Sequence, residues 1–361
     1  MAFRANAMRR EFEPLQRALP TSKVESFLGA AGFRRGSPIF PSSVEPYPEE
    51  NFESYLFRVA ERNAVPTIPE VMQALHLPSR RTYAPNEHEE ICLRLDYRLR
   101  NLVPIEPVPS QHEAMFAGQW IRVKHLMTFA TRICPQCLAE DGYGRIGWKL
   151  VPLPVCDRHG TYLVDSCPCS PNRTIGIRRP CYSECECGMD LRSIASCRAS
   201  AEARSLARLV ISRLLKQPVG DADRTLTGLA SIPREISCTE LLDIIVVLGC
   251  MDPKTGKLGP RYGSPPSELK PNIAQFERAA KILANWPESL LPSVRVLIAP
   301  TSSKALSWND LSDRHEKTRR YLDSTLFKWI ADAQSRVLQE NIRWMLQSLG
   351  AELVRGKACS H

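Results

Sequence analysis

The sequence lacks the long apolar runs that membrane spans require. Its most apolar stretch runs from Ile244 to Leu248, with Leu241 and Leu242 nearby, and is far shorter than the ~20 residues needed to cross a bilayer. The basic N-terminus, MAFRANAMRREFEPL, has no apolar core of the kind found in secretory signals. We therefore expect a cytoplasmic protein. Its 361 residues are enough for two or three domains.

Several enzyme motifs are also missing. The sequence contains no GxxxxGK[ST] phosphate-binding loop and no HExxH zinc-protease motif. His88-Glu89-Glu90 matches half of a zinc deaminase signature, but its PCxxC half is absent, so we expect His88 on a solvated helix face. Residues 142–147 spell GxGxxG without opening a βαβ unit, and we expect a flexible connector there. No set of residues predicts catalysis, and we expect a protein that is not an enzyme.

Charge of one sign is in modest excess. The chain has 48 Lys and Arg against 39 Asp and Glu, a formal net charge of +9. Adjacent basic pairs such as Arg80-Arg81 and Arg178-Arg179 contribute to this charge. A positive field attracts polyanions, nucleic acid above all. Because many basic proteins bind no DNA, the charge by itself is a weak indication of nucleic-acid binding.

Cysteine, by contrast, is abundant and clustered. The chain has 13 cysteines, nine of them between Cys134 and Cys197. In a reduced compartment such dense, paired spacing indicates metal binding, and the odd total argues against a closed disulfide framework.

The first cluster is Cys134-x-x-Cys137 followed by Cys156-x-x-His159. Eighteen residues separate the two halves, a length that suits two strands and a turn. Four such ligands complete the tetrahedral shell of Zn²⁺ and leave no position for water, which is typical of a structural site.

The second cluster offers five cysteines for four positions. We favour Cys167, Cys169, Cys185 and Cys187, because Cys187 is followed by glycine as in the second knuckle of a zinc ribbon. Cys181 is the leading substitute. The sequence therefore predicts two structural Zn²⁺ ions per chain.

Helical spacing dominates the rest of the sequence. Before the cysteines, two apolar runs predict paired helices, with Thr67 and Glu70 as a capping box at the start of the second. These helices form either a helix-turn-helix or a hairpin packed on other elements, and Gln73, Arg80 and Arg81 are candidate nucleic-acid or partner contacts. The runs are Phe52, Tyr55, Leu56, Val59 and Ala60, then Ile68, Val71, Met72 and Leu75.

After the cysteines, apolar spacing predicts helices around Leu206–Leu214, Glu240–Leu248 (ending at Gly249) and Ile273–Leu283. A long last helix is expected from Leu322 to Met345. Its aromatic residues are either dimer-interface anchors or internal core: Phe327, Trp329 and Trp344.

These observations predict a mainly α fold with small β zinc ribbons. We expect a partly flexible extension at 1–45, a helix-turn-helix region at 46–130, tandem zinc ribbons at 131–197 and a C-terminal helical domain at 198–361.

Four stretches together resemble the TniQ family: residues 46–60 (PYPEENFESYLFRVA), residues 132–141 (RICPQCLAED), Cys156–Gly160 and Cys167-Pro168-Cys169. The resemblance covers roughly residues 45–195. Two features depart from the family pattern. The stretch before Pro46 is longer than expected, and the crowding of Cys181 with Cys185 and Cys187 leaves the second ligand set open.

The resemblance implies a non-catalytic adaptor that couples a target site to the AAA+ ATPase TnsC and, through it, to the transposase. In CRISPR-associated transposons, family members dock as a homodimer on the RNA-guided Cascade complex. TnsD-type relatives instead read a fixed attachment site in DNA. The short chain favours the first role, and a metal-dependent nucleic-acid enzyme is the weakest alternative because both metal sites look closed.

Overall fold

The computed structural model describes seven ranges of the chain: 39–78, 81–95, 102–105, 112–127, 131–217, 236–250 and 269–284. Within them lie seven α-helices and two small antiparallel sheets, which confirms the predicted mainly α architecture for these ranges. None of the helices described there is long and apolar enough to cross a bilayer. Several predicted features fall outside the described residues: the last helix (Leu322–Met345) with Phe327, Trp329 and Trp344, Arg80, and nearly all of segment 1–45.

The N-terminal helices follow the predicted apolar spacing. Helix α1 (Phe52–Arg62) begins at Asn51, whose side chain accepts a 2.8 Å hydrogen bond from the Ser54 amide. Helix α2 (Ile68–Ala74) packs against α1 and begins after Thr67, as predicted. The Thr67 hydroxyl bonds the Glu70 carboxylate rather than a backbone amide, so the capping box itself does not form.

Helix α3 (Pro85–Arg94) carries the histidine that was expected in solvent. His88 is only 9% exposed, so that expectation was wrong. The apolar residues around it explain the difference, because Ile91 on the same face is also buried in the core that α1 and α2 form.

A β-hairpin lies between helix α3 and the cysteine region. Strand β1 (Glu113–Phe116) pairs antiparallel with β2 (Gln119–Arg122). The two-residue turn places Ala117 at φ 51° and Gly118 at φ 72°, the left-handed conformations that tight hairpins need. The inner face of the hairpin is buried and carries Ala114, Phe116 and Ile121. The outer face carries Trp120, which is exposed.

Three longer helices follow the cysteine region: α5 (Ala201–Leu215), α6 (Cys238–Cys250) and α7 (Leu269–Ala284). Helix α6 does not end at Gly249, as predicted, but continues through it. A Cβ atom at Gly249 would lie 2.6 Å from the backbone oxygen of Gln275 in α7. The glycine therefore allows two helices to approach closely and does not terminate one.

The buried apolar residues form two cores. One combines α1–α3 with cysteines of both clusters. The other combines the β-hairpin with α5, α6 and α7. The N-terminal helices and the candidate metal centres therefore share their packing, and the hairpin joins the C-terminal helices.

A buried carboxylate connects the hairpin to α6. Asp243 is 2% exposed and accepts a hydrogen bond from Arg122. Its Oδ1 lies 2.7 Å from Lys124 Nζ and 2.9 Å from His125 Nε2. Burial, then the charges of Lys124 and Arg122, lower the pKa of His125 well below its usual value. The buried Nδ1 of His125 has no hydrogen-bond partner, which also favours the neutral ring, because protonation would bury an unpaired N–H.

The buried, neutral His125 predicts that the folded chain is less stable in acid. Below pH ~6.5 an unfolded His125 takes up a proton that the folded chain excludes, so folding stability falls as the pH falls, by up to about 1.4 kcal/mol per pH unit. Lys124, whose pKa burial lowers to about 8, does not affect this range. In urea unfolding between pH 7.5 and 5.5, His125→Gln should lose less stability than the native chain. Equal losses in the two proteins would contradict the prediction.

Candidate metal centres

The first centre is built from two tight turns. Cys134 directly precedes helix α4 (Pro135–Asp141), and Cys137 lies in the first turn of that helix. Cys156 and His159 occupy a loop closed by a 2.8 Å hydrogen bond from the Gly160 amide to the Cys156 carbonyl, with Gly160 at φ 65°. The sequence between the halves forms α4 and a 3₁₀ turn, Ile146–Lys149, and not the two strands that its length suggested.

The four side chains of this centre converge on one point. The Sγ atoms of Cys137 and Cys156 are 3.5 Å apart. His159 Nδ1 lies 3.6, 3.2 and 3.8 Å from the sulfurs of Cys134, Cys137 and Cys156. Zn–S bonds of ~2.3 Å and Zn–N bonds of ~2.0 Å in a tetrahedron give ligand separations of about 3.5–3.8 Å. The donor set therefore fits one tetrahedral Zn²⁺, with all four positions filled by protein.

The thiols of the first centre are not independent acids. Hydrogen bonds from Cys137 and Cys156 lower the pKa of the Cys134 thiol to about 2. The hydrogen bond to Cys134, then that to Cys156, holds the pKa of Cys137 far above its usual value. Sulfurs this close cannot all ionise alone, so the full set of thiolates requires a cation among them.

The second centre is a smaller and more open arrangement. Strands β3 (Ser166–Cys167) and β4 (Ser170–Thr174) form a hairpin whose turn carries Cys169. Its sulfurs pair with those of a second turn: Cys167 with Cys187 at 3.8 Å and Cys169 with Cys185 at 3.9 Å. In both centres the four ligand atoms lie within 4.8 Å of one another.

The two centres differ in their access to solvent. Cys134, Cys137 and Cys156 are fully buried, whereas Cys169 and Cys187 are exposed. Cys181, the alternative ligand, does not belong to the second group and instead has its Sγ 3.5 Å from Ser183 Oγ. The structure thus brings together the four cysteines favoured from the sequence.

A buried polar network joins the centres to helix α1. Glu53 of α1 is 2% exposed and accepts hydrogen bonds from Thr131, from Lys149 at 3.1 Å and from Arg179 at 3.3 Å. The Arg179 guanidinium lies 4.6 Å from the ring centroids of both Phe57 and Tyr182 and donates to the Tyr182 carbonyl. Arg179, counted from the sequence only as part of a basic pair, is therefore buried. No sequence signal identifies this network.

The GxGxxG segment beside the first centre is packed, contrary to the expected flexible connector. Gly142 at φ 76° ends α4. A Cβ at Gly144 would lie 2.0 Å from the hydroxyl oxygen of Tyr182. Arg145 donates to Glu49 at 2.9 Å and to Asp141 at 2.7 Å. Close packing against Tyr182 and the Asn51 side chain therefore explains Gly144, whereas the left-handed backbone conformation explains Gly142.

The candidate contact residues lie at the surface. Gln73 is exposed on α2, and Arg81 is exposed on the segment between α2 and α3. Arg81 also lines a small, mainly apolar cavity that includes Phe52 and Tyr83.

A known protein family matches part of the chain. The model of the TniQ family matches residues 41–163, a range that includes α1–α3, the β1–β2 hairpin and the first metal centre but not the second. No curated protein matches the chain. The resemblance inferred from the sequence is confirmed over this range, and the TniQ family implies a role in target selection during transposition.

Proposed function

Because residues 41–163 are a TniQ domain, we propose that the chain is a non-catalytic adaptor in transposition. It links a target-site complex, an RNA-guided Cascade assembly, to the AAA+ ATPase TnsC and so to the transposase. It acts in the cytoplasm as a homodimer. The observation that carries this proposal is the TniQ match over the helices and the first Cys/His centre.

In this proposal both centres hold Zn²⁺, two ions per chain. The ligands are Cys134, Cys137, Cys156 and His159 in one, and Cys167, Cys169, Cys185 and Cys187 in the other. Four protein ligands fill each tetrahedral shell, which supports a structural role and leaves no position for a catalytic water. The bound ion supplies crosslinking between segments that are distant in sequence, and the protein residues then present a rigid surface to partners.

Co-purification tests the adaptor role. The full chain, expressed with the Cascade proteins and guide RNA of its own locus, should co-elute with them. Metal analysis of the same sample should find two zinc ions per chain. TnsC added to this complex should be retained, and TnsC added to Cascade alone should not. Absence of co-elution with zinc still present would overturn the Cascade role. Metal-stimulated turnover of nucleic acid would instead support an enzyme.

Direct reading of an attachment site, as in TnsD-type relatives, is the second candidate. Gln73 is exposed on helix α2, and Arg81 is exposed on the segment that follows this helix. Their exposure favours direct DNA reading, because amide and guanidinium groups read base edges in the major groove. A DNA reader binds a defined duplex without other proteins and loses affinity steeply with salt. Gln73→Ala should then relax base preference. Glu89, whose side chain is exposed on helix α3, serves as the control, and Glu89→Ala should leave the preference unchanged.

A further inference from the structure

The imidazole of His159 has two different neighbours. Its Nδ1 faces the three sulfurs of the first centre at 3.2–3.8 Å. Its Nε2 lies 2.9 Å from Oε1 of Glu140. A neutral imidazole has one lone-pair nitrogen and one N–H. With Nδ1 directed into the thiol cluster as a ligand, the hydrogen is on Nε2 and is donated to the Glu140 carboxylate.

Glu140 is held in place by its helix and by the guanidinium group of Arg158. It lies in α4 three residues after Cys137, so a ligand and the partner of another ligand share one rigid element. Its second carboxylate oxygen, Oε2, lies 3.3 Å from a guanidinium nitrogen of Arg158. Another nitrogen of Arg158 pairs with Asp141, the next residue of α4. The carboxylate is therefore oriented from both sides, although Glu140 is 50% exposed.

We propose that Glu140 is a positioning residue for the metal of the first centre. It selects the tautomer in which His159 Nδ1 is free to bind the ion, and it restrains the rotation of the ring. It also makes Nδ1 a stronger electron-pair donor to the metal. Carboxylate partners of ligating histidines commonly contribute about 10- to 100-fold in metal affinity. This inference rests on the metal binding proposed above and not on the adaptor role.

Cobalt binding to the full chain tests the inference. Co²⁺ is titrated against a competing chelator, and its visible absorption distinguishes a three-sulfur, one-nitrogen site from a four-sulfur site. Glu140→Ala should weaken Co²⁺ binding at the first centre ~10- to 100-fold and leave the four-sulfur centre unchanged. Glu140→Gln, which retains an oxygen acceptor without the charge, should recover part of the loss.

The matched control removes the histidine. In a His159→Cys background both centres have four sulfurs and the first has no ring to orient, so Glu140→Ala should leave the whole Co²⁺ titration unchanged. Unchanged affinity of Glu140→Ala in the native background would overturn the inference. So would an equal loss with and without His159, since that would be general destabilisation. If the native chain bound no Co²⁺, the metal proposal itself would fail, whatever the outcome of co-purification with Cascade.

Discussion

Replacing Cys134 with serine should remove one metal ion per chain and unfold the core around the first centre. In structural zinc modules the apparent binding free energy, about 10–16 kcal/mol in small zinc-finger peptides, is folding free energy. Even a fraction of it is comparable with the net stability of a domain, about 5–15 kcal/mol. Because Cys134 belongs to the same core as α1–α3, we expect those helices to melt with the centre. Metal analysis and thermal unfolding followed by circular dichroism measure both effects.

Cys197→Ser is the matched control. Cys197 is exposed and belongs to neither cysteine group, so this variant should keep two ions per chain and the native melting curve. If Cys134→Ser kept both ions and melted normally, the first centre would not be a structural metal site.

Replacing Arg179 with methionine should destabilise the chain by about 3–5 kcal/mol, the usual cost of removing one partner from a buried ion pair. The Glu53 carboxylate, which is 2% exposed, would then have only Lys149 as its cationic partner. The guanidinium would also be lost from its place beside the rings of Phe57 and Tyr182. Arg179→Lys should be only a partial substitute, because an ammonium cannot bond both acceptors in a planar arrangement. The free energy of unfolding in urea measures the loss.

The pairing itself is tested by a double-mutant cycle. Glu53→Gln in the Arg179→Met background removes the buried carboxylate charge that the first change leaves without its guanidinium partner. The double variant should therefore be clearly more stable than the sum of the two single losses predicts. Strictly additive losses would show that the two side chains act independently.

The sequence was most informative where one residue type and one spacing determine the structure. The repeat from Phe52 to Ala60 gives helix α1 because burial of one helix face imposes that period. The paired spacing of Cys134–Cys137 and Cys156–His159 gives the first centre because both turns place their ligands toward one point. Both patterns come from residues close together in the sequence, and the packing of the rest of the chain does not change the structures that they specify.

Features set by distant neighbours could not be predicted in this way. The β1–β2 hairpin has a weak signal, since its turn pairs Gly118 with an alanine in place of Asn or Asp. His88 is buried because α3 packs onto α1 and α2. Glu140 and Arg179 acquire their roles only when the fold brings them to partners 19 and 126 residues away in the sequence.

The unequal exposure of the two centres implies an order of chemical attack. Oxidants and chelators in solution reach the sulfurs of Cys169 and Cys187 directly, but reach those of Cys134 and Cys156 only after the surrounding core opens. In the metal-bound protein proposed above, loss of metal to oxidants should therefore begin at the hairpin of β3 and β4, before the buried first centre is attacked.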